Sequence, residues 1–265
     1  TTNGIRVDEE SGLVFSPSHF TWMDTNYPAG TPRTGYPVEI QALWIAALGV
    51  VGKLDSAGPW KELEEKARQS LVHYFWIEQR GFLSDCLHAD SFVPAVRAEA
   101  DDHLRCNQLL AITLGALTDK TLSRRLMRAV QNLLVPGGIR TLSPGKVKYR
   151  LPIYRNGALL NDPVMPYWGN YEGDEDTRRK PAYHNGTAWT WPFPSYAEAL
   201  MKVYGDGARS SARAFIGSAA EMLQHDCVGQ LPELLDGDAP HRGRGCDAQA
   251  WGVSEFLRVG ILLGM

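Results

Sequence analysis

Ser18-His19-Phe20-Thr21-Trp22-Met23-Asp24-Thr25-Asn26, then Thr31-Pro32-Arg33-Thr34-Gly35-Tyr36-Pro37, then Val38-Glu39-Ile40-Gln41-Ala42-Leu43-Trp44 carry the chain from an extended segment into a helix. The middle piece reads as loop, because proline fixes φ and turns the residue before it away from helical backbone. The helix then opens with an acid and an amide, Glu39 and Gln41. Asp24 stands two residues after Trp22, so a carboxyl lies beside an aromatic plane at the mouth of a helix. That layout suits sugar chemistry, and it sets the pattern for the rest of the chain: helices carrying loops that carry function.

Working outward, residues 1–36 are non-helical in tone, punctuated by Gly4, Gly12, Pro17, Pro28, Gly30, Pro32 and Gly35. A short hairpin is expected from Ile5 to Phe15, turning around Asp8-Glu9-Glu10-Ser11-Gly12. Apolar residues at spacings of three and four predict helices over 38–54 and 59–77, the second with Pro59 at its start. Gln79-Arg80-Gly81 is a turn into extended Phe82-Leu83-Ser84-Asp85. A second helix pair is expected over 103–117 and 122–135, with Thr118 or Asp119 as the cap between them. Residues 136–185 lack helical periodicity but hold Tyr149, Tyr154, Tyr167, Trp168, Tyr171 and Tyr183, so an ordered loop segment is expected. Helical patterns resume over 187–204, 208–226 and 246–263, with loop at 231–245. The reading is about seven helices in hairpin pairs and few strands, with the long loops collected on one rim.

Composition narrows the function. A formal net charge of -3 gives no electrostatic case for nucleic acid or an anionic membrane. No apolar run approaches the roughly 20 residues of a bilayer span. Four cysteines, Cys86, Cys106, Cys227 and Cys246, form no C-x-x-C pair and read as reduced thiols of a cytoplasmic protein. No histidine falls at metal-ligand spacing, and Asp236-Gly237-Asp238 reads as a tight turn rather than a calcium loop, so neither metal nor cofactor is expected. Eight tryptophans, several beside loop signals, exceed what a core needs.

A second carboxylate cluster completes the chemistry: Gly229-Gln230-Leu231-Pro232-Glu233-Leu234-Leu235-Asp236-Gly237-Asp238. Glycoside hydrolysis needs two carboxyl groups on opposite sides of the scissile bond, one giving a proton and one activating water or attacking directly. Asp24, flanked by Phe20, Trp22 and Met23, has the apolar company of a proton donor. Glu233, flanked by Gln230 and Asp236, has the polar company of a base. The plainer reading of both is as turn or cap residues.

Seven motifs occur in order: Thr21-Trp22-Met23-Asp24, Thr31-Pro32-Arg33, Val38 to Trp44, Asn107-Gln108-Leu109, Tyr183-His184-Asn185-Gly186-Thr187-Ala188-Trp189, Pro232-Glu233 and Gln249-Ala250-Trp251. Together they resemble the C-terminal glucosidase domain of glycogen debranching enzymes, the amylo-α-1,6-glucosidase family. The resemblance implies an all-α fold, an (α/α)6 toroid, and inverting hydrolysis of α-1,6-linked glucose at branch points of glycogen or limit dextrin. Carried over by position, Asp24 is the implied general acid and Glu233 the general base. Trp22, Arg33, Glu39 and Gln41 fall in motifs that line the site, and Tyr183, His184, Trp189, Trp191 and Trp251 resemble its sugar-facing wall. Which of Trp189 and Trp191 faces sugar is left open. An inverting pair is expected about 6.5–9.5 Å apart.

Two departures stand out. Arg105-Cys106 precedes Asn107 where the family has proline, a change expected to alter local packing. The toroid has twelve helices against about seven here, and the chain begins Thr1 rather than Met, so residues 1–265 are expected to be one domain, the C-terminal part of a barrel. The alternatives are a carbohydrate-binding or inactive barrel segment, or an exo-glycosidase of small glycosides resembling trehalose or glucosylglycerate.

Overall fold

The computed structural model describes residues 1–25, 31–91, 93–225 and 228–265. Asn26, Pro28, Gly30, Cys227 and the end of the expected 208–226 helix at Asp226 lie outside the described residues. The described residues form two compact units, residues 1–25 with 31–129, and residues from 130 to 265.

The first unit opens on the expected hairpin, β1 (Arg6–Val7) antiparallel to β2 (Val14–Phe15). β3 (Gly35–Pro37) leads straight into α1 (Val38–Leu54), at the bounds the periodicity predicts. Val38, Ala42, Ile45 and Leu48 are buried, the three-and-four spacing of a helix with one face on a core. α2 (Trp60–Phe75) packs on it through Ala67, Leu71 and Phe75. β4 (Trp76–Ile77) and β5 (Phe82–Leu83) form the next hairpin, with Gly81 at φ 73°. β6 (Cys86–His88) pairs with β3 on one side and β7 (Glu99–Ala100) on the other. Gly35 is required there: a Cβ would meet the Leu87 carbonyl oxygen at 2.1 Å.

The helix expected over 103–117 is mostly absent. Only α3 (Leu109–Thr113) forms, preceded by a 3-10 turn at Cys106–Gln108. Residues 101–105 stay extended, so Asp101, His103 and Arg105 alternate inward and are buried while Asp102 and Leu104 are less so. A run of buried polar partners wins over local helix propensity. α4 (Lys120–Val130) starts where Asp119 caps it, its carboxylate accepting from the Thr121 and Leu122 N–H groups at 2.7 and 2.9 Å. It ends five residues earlier than the expected 135, because Leu134–Val135 is strand.

The second unit is built on a five-stranded antiparallel sheet that the sequence reading did not anticipate. β8 (Leu134–Val135) and β9 (Gly138–Arg140) turn at Pro136-Gly137. β10 (Tyr154–Arg155) and β11 (Ala158–Leu159) form a separate hairpin, with Asn156 and Gly157 both at positive φ. A wide turn at Glu175–Arg179 leads into α5 (Lys180–Tyr183). β12 (Ala188–Trp189) pairs with β9 and with β13 (Leu234–Leu235), which pairs in turn with β14 (Gly243–Arg244). The expected loops at 136–185 and 231–245 thus contain strands, and "few strands" is corrected to fourteen short ones among the described residues. α6 (Phe193–Tyr204), α7 (Arg209–Gly217) and α8 (Ala250–Leu263) pack around Ala197, Ala212, Ile216, Val259 and Leu263.

Candidate active site

Glu233 lies just ahead of β13, its backbone N–H donating to the Cys246 carbonyl at 2.9 Å. Its side chain is 5% exposed, and three donors converge on its oxygens. The Tyr183 hydroxyl and the Gln249 amide (2.9 Å) donate to Oε1, and the Cys246 backbone N–H (2.9 Å) donates to Oε2. An acceptor-only group met by donors on both oxygens is held in one rotamer. Burial, then the hydrogen bond to Glu233, push the Tyr183 phenol far above its ordinary value, so it remains a donor. Gly245, at φ 75°, makes the approach possible: a Cβ there would stand 2.3 Å from Glu233 Oε2.

An aromatic group surrounds this carboxylate. The Tyr183 ring lies 4.9 Å from Trp189 and 5.5 Å from Tyr171, centroid to centroid. Trp189 is buried, and its indole donates to the Tyr183 carbonyl at 2.9 Å. His184 is fully buried and stacked on Trp189 at 5.4 Å. Both rings are therefore buried, where the resemblance implied a sugar-facing wall. Trp191 and Trp251 are partly exposed and stacked on each other at 4.9 Å. Of the two tryptophans left open by the sequence, Trp191 is the accessible one.

Asp236 and Asp238 hold the scaffold. Asp236 accepts from the Tyr171 N–H (2.8 Å) and from Arg244 (2.9 Å), and Asp238 from the Tyr167 hydroxyl (2.8 Å).

In the first unit, Arg33 is 3% exposed and sits at φ 46°, a backbone region a side chain seldom adopts. Its guanidinium grips both Glu39 oxygens, donates from Nε to Asp85 at 2.7 Å, and from Nη1 to Thr21 Oγ1 at 3.1 Å. Burial opposes the Arg33 charge, but Asp85 and then Glu39 more than offset it, holding the group cationic. Arg105, also buried, lies 3.4 Å from Asp85, so two cations face two anions. Asn107 donates to Asp85 at 2.8 Å and accepts from the Trp22 indole at 2.7 Å. Met23 is buried against Asn107 and Arg105. Every residue before Asp24 in its motif is thereby tied down.

Asp24 itself is exposed. The apolar company expected for it is not what its carboxylate meets, because Met23 turns inward and Phe20 is 47% exposed. Its titratable neighbour is His19, whose pKa burial lowers and Asp24 pulls only partly back upward. Arg33 and Glu39, expected to line the site, are engaged with each other. Gln41 is fully buried, clamping the Val14 backbone N–H and carbonyl at 2.8 and 2.9 Å. It anchors β2.

Sequence reasoning missed Asp85, Gly245 and the direct contact of Gln249. Asp85 is 52 residues from Arg33 and carried no local signal. Gln249 stood inside a quoted motif, where the neighbouring tryptophan drew the assignment.

Solved structures of similar fold include glycosidases. The neutral trehalase of Saccharomyces cerevisiae superposes with a TM-score of 0.55 at 13% identity, over 86% of this chain and 40% of that one. A glycosidase variant in complex with glucose also gives 0.55, at 15% identity over 94% of this chain and 56% of that one. A GH63 mannosylglycerate hydrolase from Thermus thermophilus, in complex with Tris and D-glycerate, gives 0.51 at 16% identity over 86% and 46%. The fold is that of the (α/α)6 glycosidases, of which this chain spans about half. The amylo-alpha-1,6-glucosidase family model matches residues 1–258, and the chain belongs to that family. Glycogen debranching enzyme of Saccharomyces cerevisiae is 24% identical over 240 residues, covering 74% of this chain and 15% of that protein.

Proposed function

We propose that this chain carries the hydrolysis of α-1,6-linked glucose at branch points of glycogen or limit dextrin, with inversion at the anomeric carbon. The observation that carries the reading is the Glu233 carboxylate, held in one orientation by three donors beside a partly exposed pair of tryptophans. Glu233 is the general base that takes a proton from the attacking water. Asp24 is the general acid that protonates the leaving oxygen, on a loop fixed by the Arg33 network. Trp191 and Trp251 offer a flat apolar face to a sugar ring. We place the protein in the cytoplasm, in keeping with free Cys86, Cys106 and Cys246, and its substrate is a branched α-glucan. No described helix is long and apolar enough to cross a membrane.

The trehalase and mannosylglycerate hydrolase likenesses motivate a second reading, an exo-glycosidase of small glycosides. Incubation with limit dextrin, trehalose and glucosylglycerate, followed by NMR of the released sugar, separates the two. Release of β-glucose from limit dextrin alone is expected. Turnover of the small glycosides alone, or α-glucose as first product, would overturn the proposal.

A further inference from the structure

Gln249 is the residue just ahead of α8, and its amide has two partners of opposite kind. The Trp251 indole N–H can only donate, so the atom facing it must be the amide oxygen Oε1. The amide nitrogen is then left for Glu233 Oε1, to which it donates at 2.9 Å. Turning the amide over would set donor against donor at the indole and carbonyl against carboxylate at Glu233, so one orientation is enforced. Trp251 is itself stacked on Trp191 at 4.9 Å, which locks the far end of the chain of contacts.

We infer that Gln249 is a positioning residue that orients the Glu233 carboxylate and couples it to the Trp191–Trp251 stack. The inference rests on the proposed role of Glu233 as base. Its consequence is directional. Tyr183 and Gln249 hold Oε1, and the Cys246 N–H holds Oε2, so the carboxylate plane is defined by groups from two segments, α5 and the connection between β14 and α8. A sugar seated on the tryptophan stack would press on the same hydrogen-bonded relay that aims the carboxylate.

The test is NMR of the full chain, following two resonances as pH is lowered: the Trp251 indole N–H and the Cys246 backbone N–H. Both should move with one midpoint in the unsubstituted protein, reporting Glu233 through separate paths. In Gln249→Met, an unbranched side chain of similar length, the indole should stop following pH. The Cys246 amide should still titrate, with its midpoint raised because a donor to the charged form is gone. Tyr183→Phe should also raise the Cys246 midpoint while leaving the indole coupled. The acid limb of the pH–rate profile should shift with the Cys246 midpoint in each variant. An indole that ignores pH in the unsubstituted chain, or a Cys246 midpoint unchanged in Gln249→Met, would overturn the inference. Coupled titration in a chain inactive on every glycoside would sink the proposed function and leave the positioning of Glu233 standing.

Discussion

The two carboxylates proposed for catalysis are held by opposite means. Asp24 is exposed, and the segment before it is fastened by a buried ionic network in which Arg33 and Arg105 face Glu39 and Asp85. Glu233 is buried, and uncharged donors fasten it directly: a phenol, an amide and a backbone N–H. The contrast separates two ways of making a group precise. Glu233 is oriented by contacts to its own oxygens, at the cost of desolvating it. Asp24 keeps its water, while the precision resides in its neighbours. Mutations should therefore divide: in the Asp24 region stability is lost by changing residues other than the acid, whereas around Glu233 the acid is itself part of the structure.

Arg33→Met should have the largest effect on folding. It leaves Glu39 buried without its cation and Asp85 with Arg105 alone, a loss of about 3–5 kcal/mol. Thermal or urea denaturation measures it, and a change under 1 kcal/mol would remove the network from the account. Glu233→Gln should come next, at about 1–3 kcal/mol, since an amide NH₂ meets a donor wherever it points. The same variant should lose about 10²–10⁴-fold in turnover on every substrate, glucosyl fluoride included. Loop placement and equal size alone would predict no folding cost; the three donors change that expectation. Gly245→Ala should cost about 1–2 kcal/mol, from strain at positive φ, and should lower activity by displacing the Glu233 carboxylate. A variant that loses stability but keeps full turnover would show that Glu233 tolerates the shift.

Asp24→Asn should be the mildest to fold, within about 0.5 kcal/mol of the parent, because the side chain is exposed. Its effect on activity should depend on the leaving group. An α-1,6-linked branch needs protonation and should lose about 10²–10⁴-fold, whereas glucosyl fluoride leaves unassisted and should be spared. Equal loss on both substrates would take the acid role away from Asp24.

The features legible in the sequence are those set by neighbours in the chain. α1 follows from apolar residues three and four apart, and the Asp119 cap from its place before a helical run. The ordered motifs that mark the family are likewise linear. Tertiary structure decided the rest. Two-residue strands such as β12 and β13 are too short to show an alternating pattern, so their pairing depended on residues 45 and 47 apart in the chain meeting. The 103–117 helix failed for a related reason: Asp101, His103 and Arg105 had to face inward together, which extended backbone permits and a helix does not. Trp189 and Trp191 are two residues apart, yet the sheet buried one and left the other accessible. Residue type and spacing could nominate Asp24 and Glu233 for sugar chemistry. Only the fold could surround one with hydrogen-bond donors and leave the other in water, because burial and hydrogen bonding depend on what the rest of the chain brings near.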